Sequence, residues 1–100
     1  MTLEQLRVFV AVAEREHLTD AARALHIAQS AVSASVAALE AEFAVALFDR
    51  VGRGLRLTPG GAVLLVEAQA VLRRVDQARE RVRRFSLELA RRRPADGEEP

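Results

Sequence analysis

Residues 19–43 constrain the fold of this chain more than any other segment. Their sequence, TDAARALHIAQSAVSASVAALEAEF, contains two short helical patterns separated by a break of about two residues at Ile27 and Ala28. Thr19 is placed to cap the first of these helices. Two helices joined by so short a turn are typical of a helix-turn-helix, which lays its second helix in the major groove of DNA.

The second helix of this pair is predicted to run from about Gln29 to Phe43. Its apolar face comprises Val32, Val36, Leu39 and Phe43. The opposite face comprises Ser30, Ala34, Ala37 and Ala41, with Gln29 and Ser33 on the flank. Small side chains allow close approach to the groove floor, alanine methyls can contact thymine methyls, and Gln29 can pair with adenine. The alternative interpretation is a helix that a protein partner buries on both sides.

A glycine-punctuated hairpin is predicted after the helix pair, in the segment DRVGRGLRLTPGG. Apolar and polar residues alternate on both sides of Gly52 and Gly54, as in two short strands joined by a turn. The arginines of this segment are Arg50, Arg53 and Arg56. Arg53 lies at the predicted tip, where an extended cation suits the narrow minor groove of A·T-rich DNA. The hairpin is interpreted as the wing of a winged helix-turn-helix, with a plain surface turn as the alternative.

A long helix is predicted from Pro59 to Ala90, with Thr58 as its cap. Apolar residues repeat along it at alternating spacings of four and three: Leu64, Ala68, Val71, Val75, Ala78, Val82, Phe85 and Leu89. A helix of 32 residues is about 48 Å long, which is more than one small domain can cover. A second copy of the chain is the simplest cover for this heptad row. Packing on the chain's own domain can explain the row only as far as Leu72.

Charge is distributed unevenly along the chain. Residues 1–46 hold three arginines and six acidic residues, a net charge of −3, whereas residues 47–93 hold twelve arginines and five acidic residues, a net charge of +7. Positive charge therefore concentrates on the wing and the long helix, where arginine side chains can contact DNA phosphates. For Arg79 to Arg84, a solvated helix face is the favoured alternative. The expected organisation is a winged domain over residues 1–58, a linker and dimerisation helix over 59–92, and a disordered tail over 93–100.

Several functional classes have little support in the residue content. The chain has no cysteine and only two histidines, so neither a metal site nor a cofactor is expected. No paired carboxylates, activated nucleophile or phosphate-binding loop indicates an enzyme. No apolar run approaches the roughly 20 residues that span a membrane, so we expect no membrane association and a soluble, cytoplasmic protein.

The segments LRVFVAVAE, LTDAARALHIAQSAVSASVAALE and LFDRVGRGLRLTPGG, followed by a long helix, resemble the N-terminal DNA-binding domain of LysR-type transcriptional regulators. The resemblance implies a mainly helical fold with three helices, a two-stranded wing and a linker helix. It also implies that the linker helix pairs with its mate in an antiparallel twofold dimer. The small-inducer domain of that family is absent from these 100 residues, so we expect either a fragment of a longer regulator or a stand-alone form.

By position, the resemblance assigns roles to individual side chains. Base readers in the major groove would be Gln29, Ser30 and Ser33. Phosphate contacts would be Thr19 and Arg50, and the minor-groove arginine would be Arg53. The predicted DNA-facing set also includes Ala34, Ala37 and Arg56.

This sequence departs from the family's usual pattern at three positions. Ala28 replaces a capping serine, Ala34 replaces an arginine or lysine, and Ala44 replaces a common glycine. We therefore expect fewer direct contacts between side chains and bases than is usual in the family. The sequence predicts a homodimer that binds double-stranded DNA with sequence preference in transcriptional regulation. The alternative is a protein-interaction module that uses the alanine face and the heptad helix.

Overall fold

Four helices and a two-stranded antiparallel wing form the fold in the computed structural model, which describes residues 1–92. The elements in chain order are α1 (Leu3–Arg15), α2 (Leu18–Leu25), α3 (Gln29–Phe43), β1 (Phe48–Val51), β2 (Gly54–Leu57) and α4 (Pro59–Arg92). The predicted winged helix-turn-helix with a long last helix is confirmed. The tail predicted to be disordered, residues 93–100, lies outside the described residues.

Capping hydrogen bonds explain where α1 begins and correct the prediction for α2. The Gln5 N–H donates to Thr2 Oγ1 and the Thr2 N–H donates to Gln5 Oε1, each at 3.0 Å, which forms a capping box. The prediction that Thr19 caps α2 is wrong. Helix α2 begins at Leu18, so its N-cap is His17, whose side chain makes no capping hydrogen bond.

Two clusters of buried side chains form the core, and Phe48 packs against both. The first cluster joins α1, α2 and α3 through Val8, Ala11, Val12, Ala21, Ala22, Val32 and Val36. The second cluster consists of Leu6, Phe9, Leu39, Leu47 and Ala68. Phe43 was predicted on the buried face of α3 but is 44% exposed, because the last turn of α3 borders an open groove beside α4.

Helix α4 lies partly on this core and partly beyond it. Leu64, Leu65 and Leu72 pack against the second cluster, so the intramolecular packing reaches Leu72 as the sequence predicted. Residues 73–92 extend the helix by a further 30 Å or so at about 1.5 Å per residue. The molecule is accordingly elongated, with principal extents of 70 × 25 × 19 Å.

Candidate nucleic-acid interface

The outward face of α3 is open to solvent over its whole length. Val32 is fully buried in the first cluster, against α1 and α2, and Leu39 is fully buried in the second cluster. These contacts fix the rotation of α3 about its axis. The residues predicted to face DNA are exposed: Gln29, Ser30, Ser33, Ala34 and Ala37. The N-cap of α3, Ala28, supplies no side-chain hydrogen bond. The positive end of the α3 dipole is therefore left for solvent or for an anion such as a phosphate.

Thr19 connects the two helices of the helix-turn-helix. Its hydroxyl donates to Gln29 Oε1 at 3.1 Å, across ten residues of sequence. This contact occupies one lone pair of the Gln29 carbonyl and leaves the amide N–H groups of Gln29 available as donors. Thr19 is half-buried, and its hydrogen bond orients the side chain of Gln29, the first residue of α3.

The wing is attached to the helical domain by backbone contacts that the sequence did not predict. The Leu55 N–H of β2 donates to the Glu16 carbonyl at the end of α1, at 2.8 Å. A Cβ atom on Gly54 would lie 2.9 Å from that same carbonyl oxygen, so the close approach requires glycine. No residue pattern reveals such a contact, because it joins backbone atoms that are distant in the sequence. On the other side, Glu40 Oε2 accepts from the Leu47 N–H at 2.8 Å and holds the start of the wing against α3.

The pleat of the wing separates its arginines onto two faces. In the β1–β2 register, Arg50 is opposite Leu55 and Asp49 is opposite Arg56. Opposed residues share a face and successive residues alternate, so Arg50 and Arg56 point to opposite sides. Arg50 borders a groove of about 190 Å³ together with Ser33 and Ala37 of α3. Arg56 therefore lies beside Asp49, on the face of the wing turned away from α3.

Arg53 occupies the tip of the wing. The turn residue Gly52 has a φ of 59°, a left-handed conformation that glycine adopts without strain, and the exposed Arg53 follows it. None of the ion pairs found among residues 1–92 involves an arginine of the wing. The charges of Arg50 and Arg53 are therefore not neutralised within the part of the chain that the structure describes.

The predicted dimerisation row divides into two parts. Ala68 is 1% exposed and lies in the chain's own core, and Leu64 packs against that core. Ala68 is thus not available to a second copy, which corrects its assignment to the dimerisation row. Farther along α4, the apolar side chains are open, with Val82 69%, Phe85 67% and Leu89 49% exposed. Val71 and Ala78 are also exposed, whereas Val75 is half-buried.

Other kinds of site find no support among residues 1–92. In that range, no three histidine, aspartate or glutamate side chains lie together as metal ligands would. Nor does any of its helices have the length and apolar character that a membrane crossing needs.

A family model described as "Bacterial regulatory helix-turn-helix protein, lysR family" matches residues 3–62. The chain belongs to this LysR family. Its similarity to the transcriptional dual regulator GltC of Bacillus subtilis (strain 168) is 46% identity over 82 residues, which cover 82% of this chain and 27% of GltC. With the HTH-type transcriptional regulator TfdS of Cupriavidus pinatubonensis, the identity is 47% over 72 residues, 72% of this chain and 24% of TfdS. The chain thus spans about a quarter of the length of these LysR relatives.

Solved structures of LysR-family domains share the fold. The CbnR DNA-binding domain, solved as a DNA complex, is 35% identical with a TM-score of 0.81, over 86% of this chain and 99% of that one. The BenM DNA-binding domain, solved with catB site 1 DNA, is 37% identical with a TM-score of 0.82, over 86% of this chain and 96% of that one. The resemblance identified in the sequence is therefore confirmed at the level of family and fold.

Proposed function

We propose that this chain binds double-stranded DNA with sequence preference and acts in transcriptional regulation as a LysR-type DNA-binding domain. The observation that carries the proposal is the joint surface of α3 and the wing. Arg50 borders the same groove as Ser33 and Ala37. Its guanidinium, which can bind a phosphate, therefore lies next to a face of α3 whose small side chains allow the helix to enter the major groove. The two structural relatives that were solved as DNA complexes support the same role.

Affinity and specificity rest on different residues in this proposal. Arg50 contacts the DNA backbone, and this interaction does not depend on the base sequence. Arg53 enters the minor groove, where the interaction depends on the width of the groove. Base contacts come from Gln29, Ser30 and Ser33 at the start of α3. The Thr19 hydroxyl holds Gln29 Oε1 and leaves the Gln29 N–H groups available as donors, which suits acceptors on the major-groove edges of purines. Arg56 is a lesser contributor, because it lies on the far face of the wing.

The proposed active form is a homodimer through the exposed part of α4. The side chains from Val71 to Leu89 leave apolar surface on a helix that reaches beyond its own domain, and a second copy would cover it. We place the functional division after residue 58, with α4 as linker and dimerisation helix over residues 59–92. A DNA-binding role of this kind also implies a cytoplasmic location and no enzymatic step.

The proposal is tested by selecting bound sequences from a pool of random DNA duplexes. A LysR-type dimer is expected to enrich a pair of half-sites related by twofold symmetry. The matched control is the variant Ser33→Asp, which places a carboxylate on the DNA-facing side of α3 at an exposed position and should fold normally but enrich nothing. Failure of the wild-type chain to enrich any sequence, or equal enrichment by the control, would refute the DNA-binding proposal.

The dimer is tested separately by replacing Val75 and Val82 together with aspartate. Sedimentation velocity should then show monomers, because unpaired carboxylates would have to be buried in the interface. An unchanged dimer would contradict the assignment of α4. If the chain instead captures a protein through an apolar surface, added salt should not weaken that complex, whereas salt weakens DNA complexes steeply.

A further inference from the structure

The side chain of Gln29, the first residue of α3, is held from the side of α2. The Thr19 hydroxyl donates to Gln29 Oε1 at 3.1 Å, and neither side chain makes another hydrogen bond among residues 1–92. Thr19 is half-buried and β-branched, so its hydroxyl has few alternative positions. Gln29 is exposed. The hydrogen bond to Thr19 is therefore what restrains the outer end of the Gln29 side chain.

This hydrogen bond changes how the Gln29 amide can meet a base. A free glutamine pairs with adenine through both ends of its amide, because the carbonyl accepts from the N6 amino group while the nitrogen donates to N7. In this chain the carbonyl accepts from Thr19, and a base donor at the same oxygen would compete with the hydroxyl proton. Accepting that proton also polarises the amide, which strengthens its N–H groups as donors. Gln29 is thus prepared to act as a donor.

The four bases differ in what they offer to such a donor in the major groove. Guanine offers two neighbouring acceptors, N7 and O6, whereas adenine offers N7 beside an N6 donor. Thymine offers the O4 acceptor, and cytosine offers the N4 donor. An amide that presents its two N–H groups therefore fits guanine best and cytosine worst.

The electrostatics at the start of α3 favour the same base. The first turn of α3 contains no acidic residue, and its N-cap, Ala28, has no side-chain hydrogen bond to the helix. The backbone N–H groups of this turn, together with the helix dipole, make its N-terminal end positive. Two acceptor atoms on a guanine edge are more favourable beside this end than the donor group of adenine or cytosine.

We propose that Thr19 is a positioning residue that makes Gln29 read guanine in preference to adenine. The inference rests on the DNA-binding role put forward under Proposed function, and it adds the base that is read and the residue that selects it. The adenine pairing expected from the sequence treats Gln29 as a free side chain. The contact across the helix-turn-helix replaces it with a donor of fixed direction.

The first step of the test finds the base pair that Gln29 reads. Sequences are selected from random duplexes with the wild-type chain and with Gln29→Ala, a substitution at an exposed position. The contacted base pair is the one whose preference disappears in the variant. Four duplexes that differ only at this base pair, in one half-site, are then titrated at one fixed salt concentration so that the phosphate contacts are the same.

The second step compares substitutions of Thr19. Thr19→Val removes the hydroxyl and keeps the branched shape, whereas the matched control Thr19→Ser keeps the hydroxyl. We expect wild type and Thr19→Ser to bind the guanine duplex at least about fivefold more tightly than the adenine duplex. In Thr19→Val the released amide can pair with adenine through both ends, so this ratio should fall to about one or below. Thr19→Ala should give the same low ratio, and circular dichroism should show every variant folded.

The hydrogen bond itself is tested without DNA. Nitrogen relaxation measured by NMR should show a more restricted side-chain amide for Gln29 than for Gln77, an exposed glutamine on α4. Thr19→Val should make the Gln29 amide as mobile as that of Gln77. Equal mobility of the two amides in the wild-type chain would overturn the inference.

The titrations separate this inference from the proposal on which it rests. A uniform loss of affinity of Thr19→Val on all four duplexes would show that Thr19 contacts only a phosphate, and it would overturn the inference. A wild-type preference for adenine or cytosine, or an unchanged selection by Gln29→Ala, would overturn it as well. DNA binding persists in each of these cases. A wild-type chain that selects no sequence overturns the DNA-binding proposal and this inference together.

Discussion

Replacing Arg50 with alanine is expected to reduce the salt dependence of DNA binding. Arg50 is exposed, shares a groove with Ser33 and Ala37, and takes part in none of the ion pairs found among residues 1–92. Its guanidinium is therefore free to meet a phosphate when α3 enters the major groove. Truncation removes one phosphate contact from each copy of the chain and leaves the core unchanged.

The magnitude follows from counterion release. Each phosphate contact contributes about 0.9 to the slope of log affinity against log salt, so a dimer with two copies of Arg50→Ala should lose about 1.8. Raising the salt concentration fourfold, from about 50 to about 200 mM, then lowers the ratio of wild-type to variant affinity by about 12-fold. The loss should be greater at low salt.

The measurement is fluorescence anisotropy on one labelled duplex at five salt concentrations. The matched control is Arg83→Ala, an exposed arginine on the outer part of α4 that pairs with Glu80 at 3.1 Å. The control should leave the slope within experimental error of wild type. A slope for Arg50→Ala that equals wild type, or that equals the control, would show that Arg50 does not contact phosphate.

Three further substitutions test other parts of the interface. Arg53→Ala should weaken binding more on duplexes with A·T-rich flanks than on G·C-rich ones, because a narrow minor groove attracts arginine, and an equal loss would indicate a simple phosphate contact. Ala34→Arg should raise affinity in a competition titration of operator and random duplexes at fixed salt, and loss of binding through a clash would contradict the placement of this face in the groove. Ala28→Ser should supply the missing cap of α3 and raise the free energy of unfolding by about 1 kcal/mol in urea titration, whereas Ala38→Ser, within the helix, should not.

Local features of the fold could be predicted from the sequence because their causes are local. The capping box of Thr2 and Gln5 needs only three residues of spacing, and the bounds of α3 follow from its apolar periodicity. The wing follows from alternating residues around Gly52. The exposed residues at the start of α3 could be named for the same reason, since the buried face of an amphipathic helix determines its exposed face.

The candidate site was predicted less completely where its geometry depends on several elements. Thr19 was expected to cap α2, but its hydroxyl contacts Gln29, because α2 begins one residue before Thr19 and the two helices meet at that point. Arg50 and Arg56 were both placed in the predicted DNA-facing set, although only Arg50 was assigned a phosphate contact. The strand register places only Arg50 in the groove beside α3.

The helix-turn-helix, the wing, the long last helix and the family could all be inferred from residue patterns along the chain. The same patterns indicate that α4 carries more apolar surface than one domain can cover. Which side of α4 stays exposed depends instead on how the helix packs against the rest of the fold. A heptad pattern defines a broad apolar stripe along a helix. Ala68 belongs to this stripe and Glu67 lies at its edge, so the pattern does not show which of them faces the core. Packing of α4 on Leu6 and Phe9 of α1 buries Ala68, and this rotation of the helix turns Glu67 and Val71 toward the open groove.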